Sequence, residues 1–228
     1  MIRAILFDFN GVIADDETPH FLCFQQALAE AQLTLTQEDY YGAYLGMDER
    51  ICARLLLERR DGNCNDEELS RIADRKAELF RAHTASHKPL LFPGVVEFVS
   101  AAKKHYRLAI ASGGRKAQID AALAGTPIET AFEVIVSAED CSIGKPDPAI
   151  YLITRDRLND LRPSHDGIAA AECLVIEDSV AGIRSAKAAG MRVMGLATTY
   201  PFEKLQDADL AVQSLLGVTP ESVTGRLP

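Results

Sequence analysis

The chain has 228 residues, of which 47% are hydrophobic, so it can bury a substantial core as one large domain or a domain with a modest insertion. Its formal net charge of −9 excludes the broad basic surface that a nucleic-acid or anionic-membrane partner requires. The five cysteines are scattered without a CxxC spacing, and no apolar stretch approaches the ~20 residues of a membrane span. We therefore expect a cytoplasmic protein without a zinc site, a disulfide framework or an obligate protein partner.

Short apolar runs along the chain predict buried strands. They lie at Ala4–Phe7, Leu108–Ala111, Val134–Val136, Leu174–Ile176 and Val193–Leu196. Between most of them, apolar residues recur at the three- and four-residue spacing of helices. Continuous apolar strands separated by helices are typical of a parallel sheet covered on both faces. The expected fold class is α/β, with a doubly wound, Rossmann-like core.

One segment after the first strand breaks this alternation. From about Asp16 to Lys88 the sequence has helical periodicity and no convincing strand. We therefore predict a helical domain at 16–88, inserted into a core domain formed by 1–15 and 89–228. The α/β pattern resumes after Pro93 and Gly94 with a helix from about Val95 to Lys104.

Polar clusters follow four of the predicted strands. They are Asp8-Phe9-Asn10-Gly11, Ser112-Gly113-Gly114, Gly144-Lys145-Pro146-Asp147 and Glu177-Asp178-Ser179. In an open parallel sheet, ligands bind beyond the carboxyl ends of the strands, where the strand order reverses. The four clusters are therefore expected to form one pocket.

The residue types in this pocket suit phosphoryl transfer. A carboxylate at a strand end, Asp8, can attack phosphorus and form an aspartyl phosphate; the alternative is an acid that caps a turn. Ser112, Gly113 and Gly114 stand between a strand and a helix, where backbone N–H groups bind phosphoryl oxygens, although such a triplet is also a common turn. Lys145 would neutralise those oxygens and keep Asp8 ionised.

The adjacent carboxylates Glu177 and Asp178 point to a metal ion. Bringing them close to Asp8 is costly without a cation, and oxygen ligands with retained waters suit Mg²⁺. In the alternative interpretation, Asp178 or Ser179 caps the following helix, and both roles can hold together.

This set of motifs, in this order, resembles the haloacid dehalogenase superfamily of phosphotransferases, and the helical insertion resembles its small-cap subfamily. Asp16–Phe21, Leu45-Gly46 and Arg75-Lys76 resemble its β-phosphoglucomutase and sugar-phosphatase branch. The resemblance implies that Mg²⁺ is held by the side chains of Asp8 and Asp178 and the backbone carbonyl of Asn10, with Glu177 in or near its coordination shell.

The resemblance also assigns substrate contacts to three residues of the insertion, His20, Arg50 and Lys76. A surface histidine and a solvated helix face are the alternatives for His20 and Lys76. Arg50 follows Gly46 by four positions, whereas the mutase pattern has three, and this shift weakens the case for a mutase.

Asn10 departs from the family pattern, which has a second aspartate two positions after the nucleophile as general acid and base. An amide has no titratable proton near neutral pH, and such catalysis is worth about 10²- to 10⁴-fold in rate. Asn10 is either native or an engineered change. If it is native, it belongs to a branch whose substrates have good leaving groups or whose site uses another base, such as His20. A structural role is compatible with both, because Asn-Gly is a favoured turn pair.

The expected function is a Mg²⁺-dependent phosphatase that acts on small phosphate monoesters, with sugar phosphates as the expected class. A hexose-phosphate mutase is the alternative within this chemistry. A phosphosugar-binding or regulatory protein, impaired in catalysis by Asn10, is the alternative of another class. A dehalogenase needs no metal, and the pair Glu177 and Asp178 argues against it.

Overall fold

The computed structural model describes residues 1–44, 49–87, 90–162 and 167–227. Leu45 and Gly46, and the predicted boundary residues Lys88 and Pro89, lie outside the described residues. The chain divides into two compact units, Met1–Asp15 with Leu90–Pro228 and Asp16–Pro89. We call them the core unit and the helical unit.

The core unit is built on a six-stranded parallel sheet. Its strands are β1 (Ala4–Phe7), β4 (Arg107–Ala111), β5 (Val134–Val136), β6 (Cys173–Glu177), β7 (Arg192–Leu196) and β8 (Leu210–Val212), in the order β5-β4-β1-β6-β7-β8. Two short strands, β2 (Ala14–Asp15) and β3 (Leu90–Leu91), form a separate antiparallel pair. The predicted fold class is therefore confirmed.

Neighbouring side chains of a strand point to opposite faces of the sheet, and here both faces are covered by apolar side chains. On β1, Ile5 and Phe7 belong to one apolar cluster, whereas Ala4 and Leu6 belong to the other. Every residue of β1 is buried, which explains why its sequence is continuously apolar. All five predicted strands are present, and β8 was not predicted.

Helices alternate with most of the parallel strands along the chain, and the last helix follows β8. They are α5 (Val95–Ala102), α6 (Lys116–Leu123), α7 (Ala149–Leu161), α8 (Val180–Ala188) and the short α9 (Pro220–Thr224), with 3₁₀ turns at Ala170–Glu172 and Phe202–Lys204. The helix predicted from Val95 ends two residues earlier than expected. Helix α8 begins after Ser179, whose hydroxyl accepts the N–H of Gly182 at 3.0 Å.

The helical unit contains α1 (Glu17–Glu30), α2 (Gln37–Asp39), a π-helical turn (Tyr40–Tyr44), α3 (Glu49–Asp61) and α4 (Asp66–Ser86). Helices α1 and α3 both pack on α4. Within its described residues the unit has no strand, as the sequence indicated. On α3, however, Ile51 and Leu55 are exposed, and Leu56 and Leu57 face the interior instead. No helix in the described part of the chain is apolar over a length that could cross a bilayer.

Candidate active site

The sheet brings three of the four predicted clusters together at the carboxyl ends of its central strands. Strand β1 lies between β4 and β6, so the residues that follow these strands are neighbours. The N–H of Asp8 extends the ladder by donating to the carbonyl of Ile176 at 3.0 Å, and that of Ser112 donates to Val136 at 3.0 Å. This edge is the point at which strand order reverses, where open α/β sheets bind ligands.

The fourth cluster reaches this edge through Lys145. Its Nζ lies 2.6 Å from Oδ1 of Asp8 and 2.7 Å from Oε1 of Glu177, and it donates to the carbonyl of Ala111 at 3.3 Å. The lysine side chain is only 10% exposed. Its three N–H groups thus have three acceptors, and the ammonium group is held between two carboxylates.

Glu177 is completely buried, and both of its carboxylate oxygens are engaged. Oε1 accepts from Lys145 and from the hydroxyl of Tyr151 at 3.0 Å. Oε2 accepts from the N–H and the hydroxyl of Ser179, each at 2.9 Å. Four donors therefore fix this carboxylate, and its position in turn fixes Lys145.

Tyr151 is a site residue that the sequence reasoning missed. It is fully buried on α7, and its ring centroid lies 5.1 Å from Nζ of Lys145, within the range of a cation–π contact. A tyrosine on the buried face of a helix needs a partner for its hydroxyl, and this requirement was the available signal.

The charges of the cluster perturb one another. Burial raises the pKa of Asp8 to about 7. The positive charge of Lys145 lowers this pKa, and the negative charge of Glu177 raises it further. Burial also opposes ionisation of Glu177, but Lys145 and Ser179 more than compensate and lower its pKa. Burial opposes the charge on Lys145, but Asp8 and Glu177 raise its pKa well above the usual range. A single ammonium group therefore does not fully compensate the buried carboxylates.

The donor set fits a divalent cation. One carboxylate oxygen from each of Asp8, Glu177 and Asp178 lies within 4.8 Å of the others, and all three residues are buried. Three carboxylates against one lysine leave a net charge of −2 when all are ionised. A hard divalent ion with oxygen ligands matches both the charge and the chemistry.

Two glycines make room for these carboxylates. Gly11 has a φ of +77°, and a Cβ added there would lie 2.0 Å from Oδ2 of Asp178. A Cβ on Gly182, in the first turn of α8, would lie 1.7 Å from Oε1 of Glu177. The capping role on α8 belongs to Ser179, so Asp178 is not required for it.

The Ser112 loop uses some of the groups that were expected to bind phosphate. Oγ of Ser112 accepts the N–H of Gly114 at 3.0 Å and contacts Oδ1 of Asn10 at 3.5 Å. The first N–H of α6, on Lys116, donates to the carboxylate of Glu139 at 3.1 Å. At Gly113 an added Cβ would meet no atom within 4 Å, so this part of the loop borders open space.

In the helical unit, the partly buried His20 and the buried Lys76 are in contact. Nζ of Lys76 lies 2.6 Å from Nδ1 of His20, and Nε2 of His20 lies 3.4 Å from Oδ2 of Asp16. Lys76 is 3% exposed, and the ring of Phe80 packs against His20 with centroids 4.0 Å apart. A solvated helix face is therefore the wrong interpretation of Lys76. Arg50, by contrast, is exposed near the start of α3.

Comparison with known proteins bears on this arrangement. A family model for haloacid dehalogenase-like hydrolases matches residues 2–190. Protein CbbY of Rhodobacter capsulatus is 32% identical over 207 residues, with 87% of each chain covered. Phosphorylated carbohydrates phosphatase of Thermotoga maritima is 29% identical over 198 residues, with 86% of this chain and 85% of its own covered.

Among solved structures, CbbY from Rhodobacter sphaeroides matches with a TM-score of 0.79 and 26% identity, over 97% of this chain and 99% of its own. That protein is an aspartate-to-asparagine variant in complex with xylulose-(1,5)bisphosphate. The resemblance predicted from the motifs is thereby confirmed at the level of the superfamily.

Proposed function

The chain belongs to the haloacid dehalogenase-like hydrolase family of enzymes, and we propose that it is a Mg²⁺-dependent phosphatase that acts on small phosphate monoesters, with sugar phosphates as its substrate class. The observation that carries this proposal is the buried cluster in which Lys145 lies 2.6 Å from Asp8, beside Glu177 and Asp178. A relative that is a phosphatase of phosphorylated carbohydrates supports the substrate class.

In the proposed mechanism, a carboxylate oxygen of Asp8 attacks phosphorus in line. The new O–P bond forms an aspartyl phosphate as the bond from phosphorus to the sugar oxygen breaks, and the sugar oxygen takes its proton from solvent water. The ammonium group of Lys145 neutralises charge on the transferred phosphoryl oxygens, and the hydroxyl of Ser112 and the N–H of Gly113 orient them. Water then attacks the phosphorus, the bond from phosphorus to the carboxylate oxygen of Asp8 breaks, and phosphate and a proton are released to solvent, which regenerates Asp8.

Asp8, Asp178 and the backbone carbonyl of Asn10 would hold Mg²⁺. When bound, the ion would offset the carboxylate charge and polarise the phosphoryl group. Glu177 contributes negative charge to this site, but its oxygens already accept four hydrogen bonds. We therefore assign it chiefly to positioning Lys145.

Phosphate release tests the proposal directly. The purified protein is incubated with a panel of sugar phosphates, with and without Mg²⁺, alongside Asp8→Ala. We expect release that requires Mg²⁺ and is lost in Asp8→Ala. If a hexose 1-phosphate is instead converted to the 6-phosphate with a bisphosphate primer and little free phosphate, the enzyme is a mutase. Chloride release from haloacids without metal would favour a dehalogenase.

A binding function is the alternative of another class, and Asn10 is the residue that favours it. The CbbY variant with an asparagine in place of an aspartate was captured with a bound bisphosphate. If Asn10→Asp is as inactive as the wild type while both bind sugar phosphates in calorimetry, the protein is a phosphosugar-binding protein and the phosphatase proposal is wrong.

Metal binding has its own readout in thermal unfolding. Mg²⁺ at about 100 times its dissociation constant should stabilise the wild type by about 2.7 kcal/mol. The stabilisation should disappear in Asp178→Asn, while a variant of an exposed carboxylate, Glu203→Gln, should keep it. Equal stabilisation of the two variants would refute the assignment of Asp178 as a ligand.

The roles of His20, Arg50 and Lys76 in substrate binding remain predictions. For a sugar phosphate, we expect His20→Gln, Arg50→Gln and Lys76→Met to raise KM while Asp8 can still be phosphorylated by acetyl phosphate. Unchanged KM values would remove these residues from the substrate site.

A further inference from the structure

Gly11 follows Asn10 in the loop after β1, and hydrogen bonds fix the peptide groups on both sides of it. On the first side, the N–H of Gly11 donates to the carbonyl of Ala14 at 2.9 Å. Because a peptide group is planar and trans, this bond also sets the direction of the carbonyl of Asn10, which belongs to the same peptide group. That carbonyl is one of the proposed Mg²⁺ ligands.

The peptide group on the second side is held by a threonine from a distant part of the chain. The hydroxyl of Thr198 donates to the carbonyl of Gly11, whereas the carbonyl of Leu196 lies farther from this hydroxyl, at 3.5 Å. Gly11 is buried and has a φ of +77°, and a glycine has no Cβ to restrict its backbone. The threonine therefore removes conformational freedom that the glycine would otherwise keep.

Thr198 is itself presented from a fixed base. The residue before it, Ala197, directly follows β7. The N–H of Ala197 donates to the carbonyl of Val212 on β8 at 2.9 Å, and its carbonyl accepts from Nε2 of Gln213 at 3.0 Å. Both polar groups of Ala197 are thus tied to the edge of the sheet, and the position of the Thr198 hydroxyl follows from theirs.

The bond from Thr198 to Gly11 spans the end of the strand that leads to Asp178. Strands β1, β6 and β7 are neighbours in this order, and Asp178 directly follows β6. A Cβ added to Gly11 would lie 2.0 Å from Oδ2 of Asp178 and 2.8 Å from Oγ1 of Thr199. A movement of Gly11 would therefore change the space that this carboxylate occupies.

From these contacts we propose that Thr198 is a positioning residue for the metal site. Its hydroxyl fixes Gly11 and thereby holds the carbonyl of Asn10 and the carboxylate of Asp178 where both can bind Mg²⁺. The role rests on the proposed Mg²⁺-dependent function, and Thr198 acts through Gly11 rather than on the ion. Residues that orient metal ligands typically contribute about 10- to 100-fold in metal affinity.

Titration with Mg²⁺ in a calorimeter tests this role without relying on turnover. Thr198→Val removes the hydroxyl and keeps the size of the side chain, whereas Thr198→Ser keeps the hydroxyl. Thr126→Val is the matched control, because it removes a hydroxyl that donates to the carbonyl of Leu123 at 2.7 Å, after α6. We expect the Kd for Mg²⁺ to rise by about 10-fold or more in Thr198→Val. It should stay close to the wild-type value in the other two variants.

The Mg²⁺ dependence of activity separates this role from general damage to the fold. With a saturating sugar phosphate, Thr198→Val should be slow at Mg²⁺ concentrations that saturate the wild type. Its kcat should return toward the wild-type value as the Mg²⁺ concentration is raised. A kcat that stays low at every Mg²⁺ concentration would contradict the positioning role.

An equal Kd for Mg²⁺ in the wild type and in Thr198→Val would overturn the inference and leave the phosphatase proposal intact. An equal rise of Kd in Thr198→Val and Thr198→Ser would also overturn it, because the hydroxyl would then not be the group that matters. If the wild type itself does not bind Mg²⁺, the Mg²⁺-dependent function is wrong, and the role of Thr198 falls with it.

Discussion

Replacing Tyr151 with phenylalanine removes a single hydroxyl group and leaves the ring beside Lys145. The lost contact is a 3.0 Å hydrogen bond to Glu177, which is completely buried, so water does not replace it. A hydrogen bond to a charged group is worth about 1.5–3 kcal/mol. We expect Tyr151→Phe to lower the free energy of unfolding by this amount, measured by urea denaturation at pH 7 without divalent ions.

A second tyrosine provides the matched control. The hydroxyl of Tyr106 lies 3.1 Å from Oγ1 of Thr224, a neutral group in a half-buried setting. Tyr106→Phe should therefore cost only about 0.5–1.5 kcal/mol, as is usual for a bond between neutral groups. In a Glu177→Gln background, the cost of Tyr151→Phe should fall by about 1 kcal/mol or more, because the two groups act on each other.

Two results would refute this reasoning. One is an equal loss of stability in Tyr151→Phe and Tyr106→Phe. The other is strict additivity of the Tyr151 and Glu177 substitutions. If the hydroxyl helps to position Lys145, Tyr151→Phe should also lower kcat more than it changes KM, whereas Tyr106→Phe should change neither.

Two further predictions concern a glycine and an aspartate. Gly182→Ala should destabilise the protein by about 1–3 kcal/mol in urea unfolding, since its Cβ would overlap Glu177, although alanine normally favours a helix. Gly42→Ala, where a Cβ meets no atom within 4 Å, should cause no such loss. Burial opposes the charge on Asp209, but Lys187, at 2.8 Å, helps to hold its pKa below the usual range. The stabilisation is therefore full above the unfolded pKa of about 3.9 and is lost as the pH falls through the lower folded value. Asp209→Asn should be about 1 kcal/mol less stable than the wild type at pH 7, and the difference in urea midpoint should narrow as the pH falls below about 3.9; a constant difference would contradict this.

The strands could be predicted where the sequence has a continuous apolar run, which is typical of a strand buried on both faces. Ala4–Phe7 and Val134–Val136 have the bounds expected from their composition, and both lie within the sheet as observed. Leu210–Val212 was missed although its three residues are all apolar; they lie at the sheet edge and are only partly buried. On α3, Ile51 and Leu55 have the spacing of a core-facing stripe and are nevertheless exposed, so spacing alone does not identify the buried face of this helix.

The candidate site was predictable in its members but not in its connections. Asp8 and Glu177 directly follow predicted strands, and Lys145 lies in the loop after the third predicted strand; these positions mark them. Their hydrogen bonds join residues that are 137 and 32 positions apart, and such pairings depend on side-chain geometry that periodicity does not carry. The same limit hid Tyr151 and left the burial of Lys76 undecided.

The central place of β1 in the sheet also shapes how the chain must fold during synthesis. Its register pairs Ala4 with Arg107 on one side and with Cys173 on the other. At about 5–20 residues per second, the ribosome needs about 5–20 s after making β1 to supply even the first of these partners. The helical unit is continuous in sequence and can fold in that interval. The wholly apolar β1 stays without its partner strands during that time. It is therefore the segment of the nascent chain for which chaperone protection would matter most.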